Sequence, residues 1–356
     1  MPNTNQNATN YQCPACGGPL HFVGATGKLE CDYCGSSYSI EQVDATYGQK
    51  GSAEKSEAQT TESPELNGLF EYNCPSCGAQ LFCDETTAAT SCPYCGNNQV
   101  LHSQFKGGKM PQKIIPFKLE KKSAIEALKN HYKGKKLLPN VFSEQNHIEE
   151  IKGVYVPFWL FDGHADVKLE MEGTNSKVHY TSKEKIITTG HYKVTRGGTV
   201  KFEKISVDAS KKMDDALMDS IEPFDYDELR DFTASYLPGF FAEVYDVSTE
   251  ECYERAKVRA ENTAVSEIKN SVHNYETLTV LKQDVRLVND KVTYAFMPVW
   301  VLSTKWRDKN YIFAMNGQTG KMVGDLPVDK GKFFKYLLFI TLGVAAVVTP
   351  LVYFFF

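Results

Sequence analysis

The longest apolar run of the chain lies at its C-terminal end. Residues Tyr336 to Phe356, YLLFITLGVAAVVTPLVYFFF, include no charged side chain. A helix of about 20 apolar residues crosses the roughly 30 Å hydrocarbon layer of a bilayer, so the run predicts a transmembrane helix over residues 333–356. Pro350 would kink this helix without breaking it. A buried core helix is the alternative, and the length and purity of the run disfavour it.

The residues around this run predict its orientation. Three lysines precede it, Lys330, Lys332 and Lys335, and no charged residue follows it. The positive-inside rule then places the N-terminal bulk of the protein in the cytoplasm, with a single pass through the cytoplasmic (inner) membrane. Residues 1–12 have neither a basic start nor an apolar core, so no secretory signal is expected. The run lacks a polar flank at Phe356, which suggests that the natural protein continues into a loop and a second span.

The pattern of residues 105–328 predicts an α+β region. An apolar strand over Lys113–Leu119 leads to a helix whose expected start, Ser123-Ala-Ile-Glu126, has the spacing of a capping box. A second apolar strand, Phe240–Val247, leads to the same signature at Ser248-Thr-Glu-Glu251 and to a long helix over residues 249–272.

Two segments of this region resemble each other. Tyr155–Phe161 reads YVPFWLF and Phe296–Leu302 reads FMPVWVL, and each follows one of the capped helices. The resemblance therefore predicts that the region is a duplicated strand-helix-hairpin unit. The proline in each segment predicts an edge strand or a bulge. The turn Asn316–Gly320 is expected to join antiparallel strands over Tyr311–Met315 and Lys321–Gly324.

Cysteines dominate the N-terminal part. Eight of the ten cysteines form four C-x-x-C pairs, with fourteen residues between the two pairs of each quartet, and the second quartet is offset from the first by 61 residues. The quartets are Cys13, Cys16, Cys31 and Cys34, and Cys74, Cys77, Cys92 and Cys95. This spacing predicts two zinc ribbons, over residues 11–40 and 72–101. The polar composition of residues 41–70 between them predicts a flexible linker.

The ligand set predicts a structural role for the metal. Each C-x-x-C turn directs two sulfurs at one centre, and two such turns close a tetrahedron of four thiolates with no position left for water. We therefore expect two structural Zn²⁺ ions and no catalytic metal. Iron has the same preference for four thiolates, so zinc and iron both remain open. Disulfide pairing or redox chemistry is disfavoured, because the βαβ context of a thioredoxin-like motif is missing.

Two cysteines lie outside the quartets. Cys83 corresponds in spacing to Phe22 of the first ribbon, and Cys252 falls in the first turn of the second capped helix. Both are expected to pack as small apolar side chains. A sensor thiol at Cys83 is the alternative.

The knuckles Cys13-Pro-Ala-Cys16-Gly and Cys74-Pro-Ser-Cys77-Gly, with their C-x-Y-C-G partners, carry a family resemblance. The chain resembles transcription-factor-type, rubredoxin-like zinc-ribbon proteins, and most of all the bacterial membrane-anchored proteins with paired N-terminal ribbons. This resemblance implies bound zinc and a membrane anchor. Similar knuckles occur in primosomal helicases, but this sequence has no P-loop, so a helicase is excluded.

The distribution of charge separates the possible partners. Residues 1–110 hold five lysines, no arginine and eleven carboxylates, a balance of −6, and each zinc–tetrathiolate centre would add about −2. Residues 106–136 hold ten lysines and two glutamates, a balance of +8. Nucleic acid is therefore disfavoured at the ribbons, because affinity for it comes mainly from Lys and Arg. The lysine-rich residues 106–136 could be a solvated helix face, or could contact anionic lipid or nucleic acid.

No sequence motif points to catalysis. The chain has no H-E-x-x-H, G-x-S-x-G, P-loop or dinucleotide fingerprint, and the carboxylate pairs Asp214-Asp215 and Glu250-Glu251 lie in polar contexts typical of solvated helix faces. The sequence therefore favours a protein that is not an enzyme: a membrane-tethered scaffold whose ribbons recruit protein partners. The alternative is a membrane-linked regulator that binds nucleic acid through residues 106–136.

Overall fold

The computed structural model describes residues 8–47, 69–73, 80–84, 86–91, 98–101, 110–144, 148, 150–181, 184–307 and 309–355. These residues form a mixed α and β fold with a C-terminal apolar helix, as the sequence predicts. The strands, in chain order, are β1 (Ala8–Asn10), β2 (His21–Val23), β3 (Lys28–Glu30), β4 (Ser37–Tyr38), β5 (Leu69–Asn73), β6 (Gln80–Asp84), β7 (Thr87–Ser91), β8 (Asn98–Leu101), β9 (Lys113–Ile114), β10 (Lys152–Tyr180), β11 (Lys185–Asp208), β12 (Arg230–Asp231), β13 (Phe241–Glu243), β14 (Thr277–Trp306), β15 (Lys309–Asn316) and β16 (Met322–Gly324). The α-helices are α1 (Ile40–Tyr47), α2 (Lys121–Tyr132), α3 (Asp215–Ser220), α4 (Thr249–Asn270) and α5 (Lys330–Phe355).

Strands β10 and β14 form the antiparallel centre of the main sheet. They pair from Lys152 opposite Val301 to Thr174 opposite Thr277. Near the motif YVPFWLF both faces of β10 are buried, and farther along only alternate residues are buried. This change of pattern shows where the sheet is covered on both faces and where one face meets solvent.

The two prolines of the repeated motif lie in these central strands, not in edge strands. On its outer side β10 pairs in parallel with β13 up to Tyr155 and antiparallel with β11 from Phe158 onward. Likewise β14 pairs in parallel with β9 and then antiparallel with β15. Pro157 and Pro298 fall where the outer neighbour changes. The expectation of an edge strand or bulge was therefore wrong, because an interrupted outer ladder tolerates a residue without an N–H.

Helix α4 packs against the long strands. Its buried residues recur every four positions, from Cys252 through Ala256, Ala260 and Ala264 to Ile268. Small side chains on this stripe let the helix lie close to the sheet, where Ala264 and Ile268 share a core cluster with alternate residues of β10. The capping box at Ser248 and Glu251 is formed as predicted.

Helix α2 begins earlier than predicted. Its N-cap is Glu120, which makes no side-chain capping hydrogen bond, so Ser123 is the third helical residue. The capping box predicted at Ser123 was therefore wrong: the helix extends to Lys121, and Ser123 no longer stands at its entrance. At the other end of the region, β15 and β16 pair antiparallel around the turn at Asn316–Gly320, as predicted.

The N-terminal boundaries differ from the expected independent modules. Residues predicted as the start of the linker, 41–47, belong to helix α1, and Val43 on this helix is buried. The Asp44 carboxylate accepts a hydrogen bond from the Ser235 hydroxyl of the α+β region. The amphipathic spacing of Ile40 and Val43 explains why this segment packs as a helix. Any linker therefore begins no earlier than residue 48.

Part of the predicted second ribbon joins the main sheet. Strands β7 and β8 pair with each other, β8 also pairs with β1, and β7 pairs with β13. Ala88, Ala89 and Val100 are buried by these pairings. Residues 86–91 and 98–101 are thus continuous with the α+β region instead of forming a separate unit.

Helix α5 is the apolar C-terminal element. Among the described residues, its segment Lys330–Leu351 is the one helix long and apolar enough to cross a membrane, and none of that apolar window is buried in the protein. Asp329 caps the helix by accepting hydrogen bonds from the backbone N–H groups of Gly331 and Lys332.

Candidate metal centre

The first cysteine quartet lies at the ends of a small three-stranded sheet. Strand β2 pairs antiparallel with β3, and β3 pairs antiparallel with β4. One C-x-x-C turn precedes β2, and the other lies between β3 and β4. Leu20 and Leu29 are fully buried beneath these turns. The hairpin therefore brings two loops that are distant in sequence to the same side.

The four sulfur atoms of this quartet converge. The Sγ atoms of Cys13 and Cys34 lie 3.5 Å apart, and those of Cys16 and Cys31 lie 3.6 Å apart. All four lie within 4.8 Å of one another. A tetrahedron with metal–sulfur bonds of about 2.3 Å has sulfur–sulfur edges of about 3.8 Å. The quartet therefore has the size required for one four-thiolate metal ion.

Glycines allow the two tight turns. Gly17 and Gly35 have φ angles of +74° and +73°, in the left-handed region that disfavours other residues. Each donates its backbone N–H to the carbonyl oxygen of the first cysteine of its turn, Cys13 or Cys31, at 2.8 and 2.9 Å. The two C-x-x-C-G segments thus adopt the same turn.

Hydrogen bonds favour the thiolate of Cys13. Burial opposes ionisation, but hydrogen bonds from the Tyr38 hydroxyl and from the backbone N–H groups of Ala15 and Cys16 outweigh it and lower the pKa of the Cys13 thiol to about 6. The Tyr38 oxygen lies 3.5 Å from the Cys13 sulfur. Tyr38 could not be identified from the sequence, because an aromatic residue two positions before α1 carries no spacing signal for a metal site.

The two exposed cysteines, Cys16 and Cys34, differ in how readily they ionise. Hydrogen bonds from the Ser36 hydroxyl and backbone N–H lower the pKa of Cys34. The Gly18 N–H likewise favours the Cys16 thiolate, but the neighbouring sulfurs and partial burial raise the pKa of Cys16 to about 12. Adjacent thiolates repel one another, so all four ionise together only when a metal ion compensates their charge.

The residues fit a structural metal ion. Cys13 and Cys31 are buried, whereas Cys16 and Cys34 are exposed at the rim. Such a site holds its ion by four sulfurs and leaves no ligand position for a substrate. The prediction that these four cysteines cluster is confirmed. The ion's identity, zinc or iron, is not fixed by ligand type.

Residues 13–38, which carry the four cysteines and strands β2–β4, form the candidate metal-binding hairpin, and this hairpin packs directly on the α+β region. The backbone N–H of Phe22 donates to the Pro238 carbonyl at 2.9 Å, and the Phe22 ring meets the Tyr236 ring edge-on at 5.4 Å between centroids. Cys13, Cys31 and Phe22 belong to the same buried cluster as the core of the main sheet. The metal centre is therefore part of the principal core.

A cavity of about 570 Å³ lies at this junction. The hairpin contributes His21–Gly24 to its wall, and the α+β region contributes Phe240, Phe241 and Trp300. The Trp300 indole N–H donates to the Leu119 carbonyl at 3.1 Å, which fixes the ring at the cavity wall.

The remaining cysteines are placed as follows. Cys74, Cys77, Cys92 and Cys95 lie outside the described residues, so the second quartet stays a prediction. Cys83 lies in β6 and is half-buried. Cys252 is buried in the first turn of α4, and burial raises the pKa of its thiol to about 12, in keeping with an unreactive packing role.

A second polar cluster joins residues that no sequence motif identifies. Arg255 of α4 contacts Asp208 at 3.0 Å, Asp215 at 2.8 Å and Asp219 at 3.1 Å. Burial raises the pKa of Asp208 to about 6, although Arg255 partly offsets this effect. In the described part of the chain, Asp208 Oδ2 is one of four buried side-chain oxygens without a hydrogen-bond partner. Asp215 was expected on a solvated helix face, and its partner comes from a helix 40 residues away in sequence.

Some lysines of the stretch 106–136 are neutralised locally. Lys113 pairs with Asp231 at 2.6 Å and Lys118 with Glu228 at 2.8 Å. The other described lysines of this stretch are exposed and lie on α2 or in the loop that follows it: Lys121, Lys122, Lys129, Lys133, Lys135 and Lys136.

A protein of Bacillus subtilis (strain 168) named "Uncharacterized protein YdjG" is 36% identical to this chain over 325 residues, which cover 91% of each sequence. No family model matches the chain. No solved structure matches it either.

Proposed function

The chain belongs to the same family as YdjG of Bacillus subtilis, and we propose that it is a non-catalytic, membrane-tethered scaffold that recruits a protein partner at the cytoplasmic face of the membrane. The observation that carries this proposal is the quartet of Cys13, Cys16, Cys31 and Cys34, whose size suits a closed metal site. A closed site stabilises a surface and offers no position for chemistry.

The metal in this proposal is Zn²⁺, in two structural sites. Zinc has no redox chemistry and prefers four thiolates in a tetrahedron, the geometry to which the first quartet conforms. The identical spacing of the second quartet supports a second ion at Cys74, Cys77, Cys92 and Cys95.

Tethering would be provided by α5. Its apolar surface is unburied in the protein, and a helix of this length suits the hydrocarbon layer. The lysines at its start support a cytoplasmic location for the preceding residues. The reducing cytoplasm would also keep the thiols available for metal.

The pairing of strands supports the proposed duplication in residues 105–328. The first strand of each unit, β9 or β13, pairs in parallel with the long strand of the other unit, β14 or β10. The two long strands pair with each other and each continues into its own antiparallel partner, β11 or β15. Exchange of first strands between two similar units would produce this arrangement. Such a platform would hold the metal-binding hairpin at a fixed position.

The recruiting surface would include the turn between Cys31 and Cys34 on the hairpin. Tyr33 is 77% exposed on the second knuckle, and large exposed aromatic residues are typical anchors of protein interfaces. The acidic balance of residues 1–110 favours a protein partner over nucleic acid there.

Affinity capture from solubilised membranes tests the proposal. The full chain should be compared with a Cys13→Ser/Cys16→Ser variant, a Cys74→Ser/Cys77→Ser variant and a Cys83→Ser control. The proposal expects a partner that is retained by the wild type and the control and lost with a metal-site variant. Capture that is indifferent to both metal-site variants, or recovery of the full chain in the soluble fraction, would contradict it.

A further inference from the structure

The loop after α2 is fixed against the start of the candidate membrane helix. The Asp329 backbone N–H donates to the Leu137 carbonyl at 2.8 Å. The Lys332 ammonium donates to the Leu138 carbonyl and, at 2.6 Å, to Asn140 Oδ1. Since the candidate span begins at Lys330, these contacts hold the loop beside the point where α5 would enter a bilayer.

A cavity of about 460 Å³ lies between this loop and the segment leading to α5. One part of its wall is basic, from Lys135 and Lys136, and both lysines are exposed. The rest is mainly apolar, and the apolar lining residues are Leu137, Leu138, Leu326, Pro327 and Val328. Val328 is 53% exposed, so apolar surface reaches the rim.

This combination suits an amphipathic anion. Two ammonium groups attract a phosphate diester, and the apolar wall suits the glycerol and the first methylenes of an acyl chain. The volume falls within the usual range of ligand sites, about 300–1,000 Å³. A free inorganic phosphate would gain nothing from the apolar lining. The nearby Asp329 carboxylate is engaged in capping α5, so its charge is directed at backbone N–H groups.

The geometry points to this cavity as a binding site for the headgroup of an anionic phospholipid, held by Lys135 and Lys136 at the entry of α5. The inference rests on the proposed membrane tethering and deepens it by naming a lipid class and a place. Each lysine near an anionic lipid surface contributes on the order of a five-fold factor in affinity, so the pair is expected to give about a 25-fold preference.

Lipid retention by the full chain provides the test. The protein is purified in an uncharged detergent and titrated with phosphatidylglycerol or phosphatidylcholine, and bound lipids are counted by native mass spectrometry. The Lys135→Gln/Lys136→Gln variant is compared with Lys121→Gln/Lys122→Gln. The control removes the same charge from the opposite end of α2, roughly 16 Å away along the helix axis.

The expected result is preferential binding of phosphatidylglycerol, weakened about 25-fold in the Lys135/Lys136 variant and retained in the control. Equal loss in both variants would mean diffuse attraction and would overturn the site. Displacement of the lipid by millimolar inorganic phosphate would overturn the assignment to a lipid. Alkaline carbonate extraction of native membranes separates the two proposals. If the chain is extracted, tethering itself fails; if it resists extraction but shows no lipid preference, the cavity inference alone fails.

Discussion

A β-carbon on Gly24 would lie 2.1 Å from the carbonyl oxygen of Phe117. The metal-binding hairpin approaches the α+β region so closely here that no other side chain fits. Phe117 in turn stacks on Phe240, with ring centroids 4.0 Å apart, and meets Trp300 edge-on at 5.1 Å. This contact joins the metal centre to the aromatic core.

Replacement of Gly24 should therefore separate docking from metal binding. Gly24→Ala is expected to destabilise the docked hairpin by about 1–3 kcal/mol, the usual cost of overpacking, while the cysteine quartet keeps its metal. Limited proteolysis and metal analysis would measure the two effects. Ala25→Ser, at the exposed position beside Gly24, is the control and should leave both unchanged within about 0.5 kcal/mol. Loss of metal in Gly24→Ala would show that docking and coordination are not separable.

Removal of the metal should change the fluorescence of Trp300. A variant with Trp159→Phe and Trp306→Phe leaves this indole as the only tryptophan, beside the cavity formed with His21–Gly24. We expect a chelator to shift its fluorescence to longer wavelength, because a released hairpin admits water to the cavity. Addition of Zn²⁺ should reverse the shift. An unchanged spectrum after complete loss of metal would mean that the hairpin stays docked without its ion.

Loss of two ligands should remove one ion per chain. Cys13→Ser/Cys31→Ser deletes both buried ligands of the first quartet. We expect one metal ion fewer by elemental analysis and a lower unfolding temperature for the whole chain, since the hairpin shares the main core. Cys83→Ser is the matched control and should keep the full metal content. Unchanged metal in the double variant would refute the site.

The two serines of the predicted capping boxes make a matched pair. The Ser248 hydroxyl caps α4 by accepting from the Glu251 N–H, whereas Ser123 lies within α2 and caps nothing. Ser248→Ala is expected to lower the free energy of unfolding by about 1 kcal/mol, and Ser123→Ala to change it by less than about 0.5 kcal/mol. Denaturant unfolding measures both. Equal effects would argue against the helix start at Lys121.

Asp208 should make stability depend on pH. Its folded-state pKa is raised to about 6 from an unfolded value of 3.8. The folded state therefore binds the proton more tightly, and this residue's contribution to stability is fully present below pH 4 and is lost as pH rises through 6.

Asp208→Asn tests this dependence by difference. The loss in the wild type between pH 4 and pH 7 is on the order of 2 kcal/mol and should be absent from the variant. Denaturant unfolding at both pH values gives the comparison. Asp215→Asn is the control, because it also alters a contact with Arg255. The Asp215 side chain is 63% exposed, so this variant should keep the wild-type dependence of stability on pH. A parallel pH dependence in wild type and Asp208→Asn would contradict the assignment.

Local patterns by themselves determined the first cysteine cluster, the capped helix α4 and the apolar helix α5. Each is specified within a short stretch. Cysteine spacing and the following glycine specify a turn, and Ser248 and Glu251 specify a helix start. A long run without charged residues specifies a helix that suits a hydrocarbon environment. A local pattern failed at Ser123: its spacing predicted the start of a helix, but the helix begins upstream at Lys121.

Only the tertiary structure decided how these parts meet. Four features depend on contacts between residues far apart in the chain: the docking of the hairpin at Gly24, the pairing of the strands around Pro157, the Arg255 cluster and the loop beside α5. Their free energy comes from packing and charge pairing between surfaces, which no local window contains. The clustering of Cys13, Cys16, Cys31 and Cys34 could thus be predicted from their spacing alone, whereas the core that this cluster shares with the α+β region appeared only once the chain was folded.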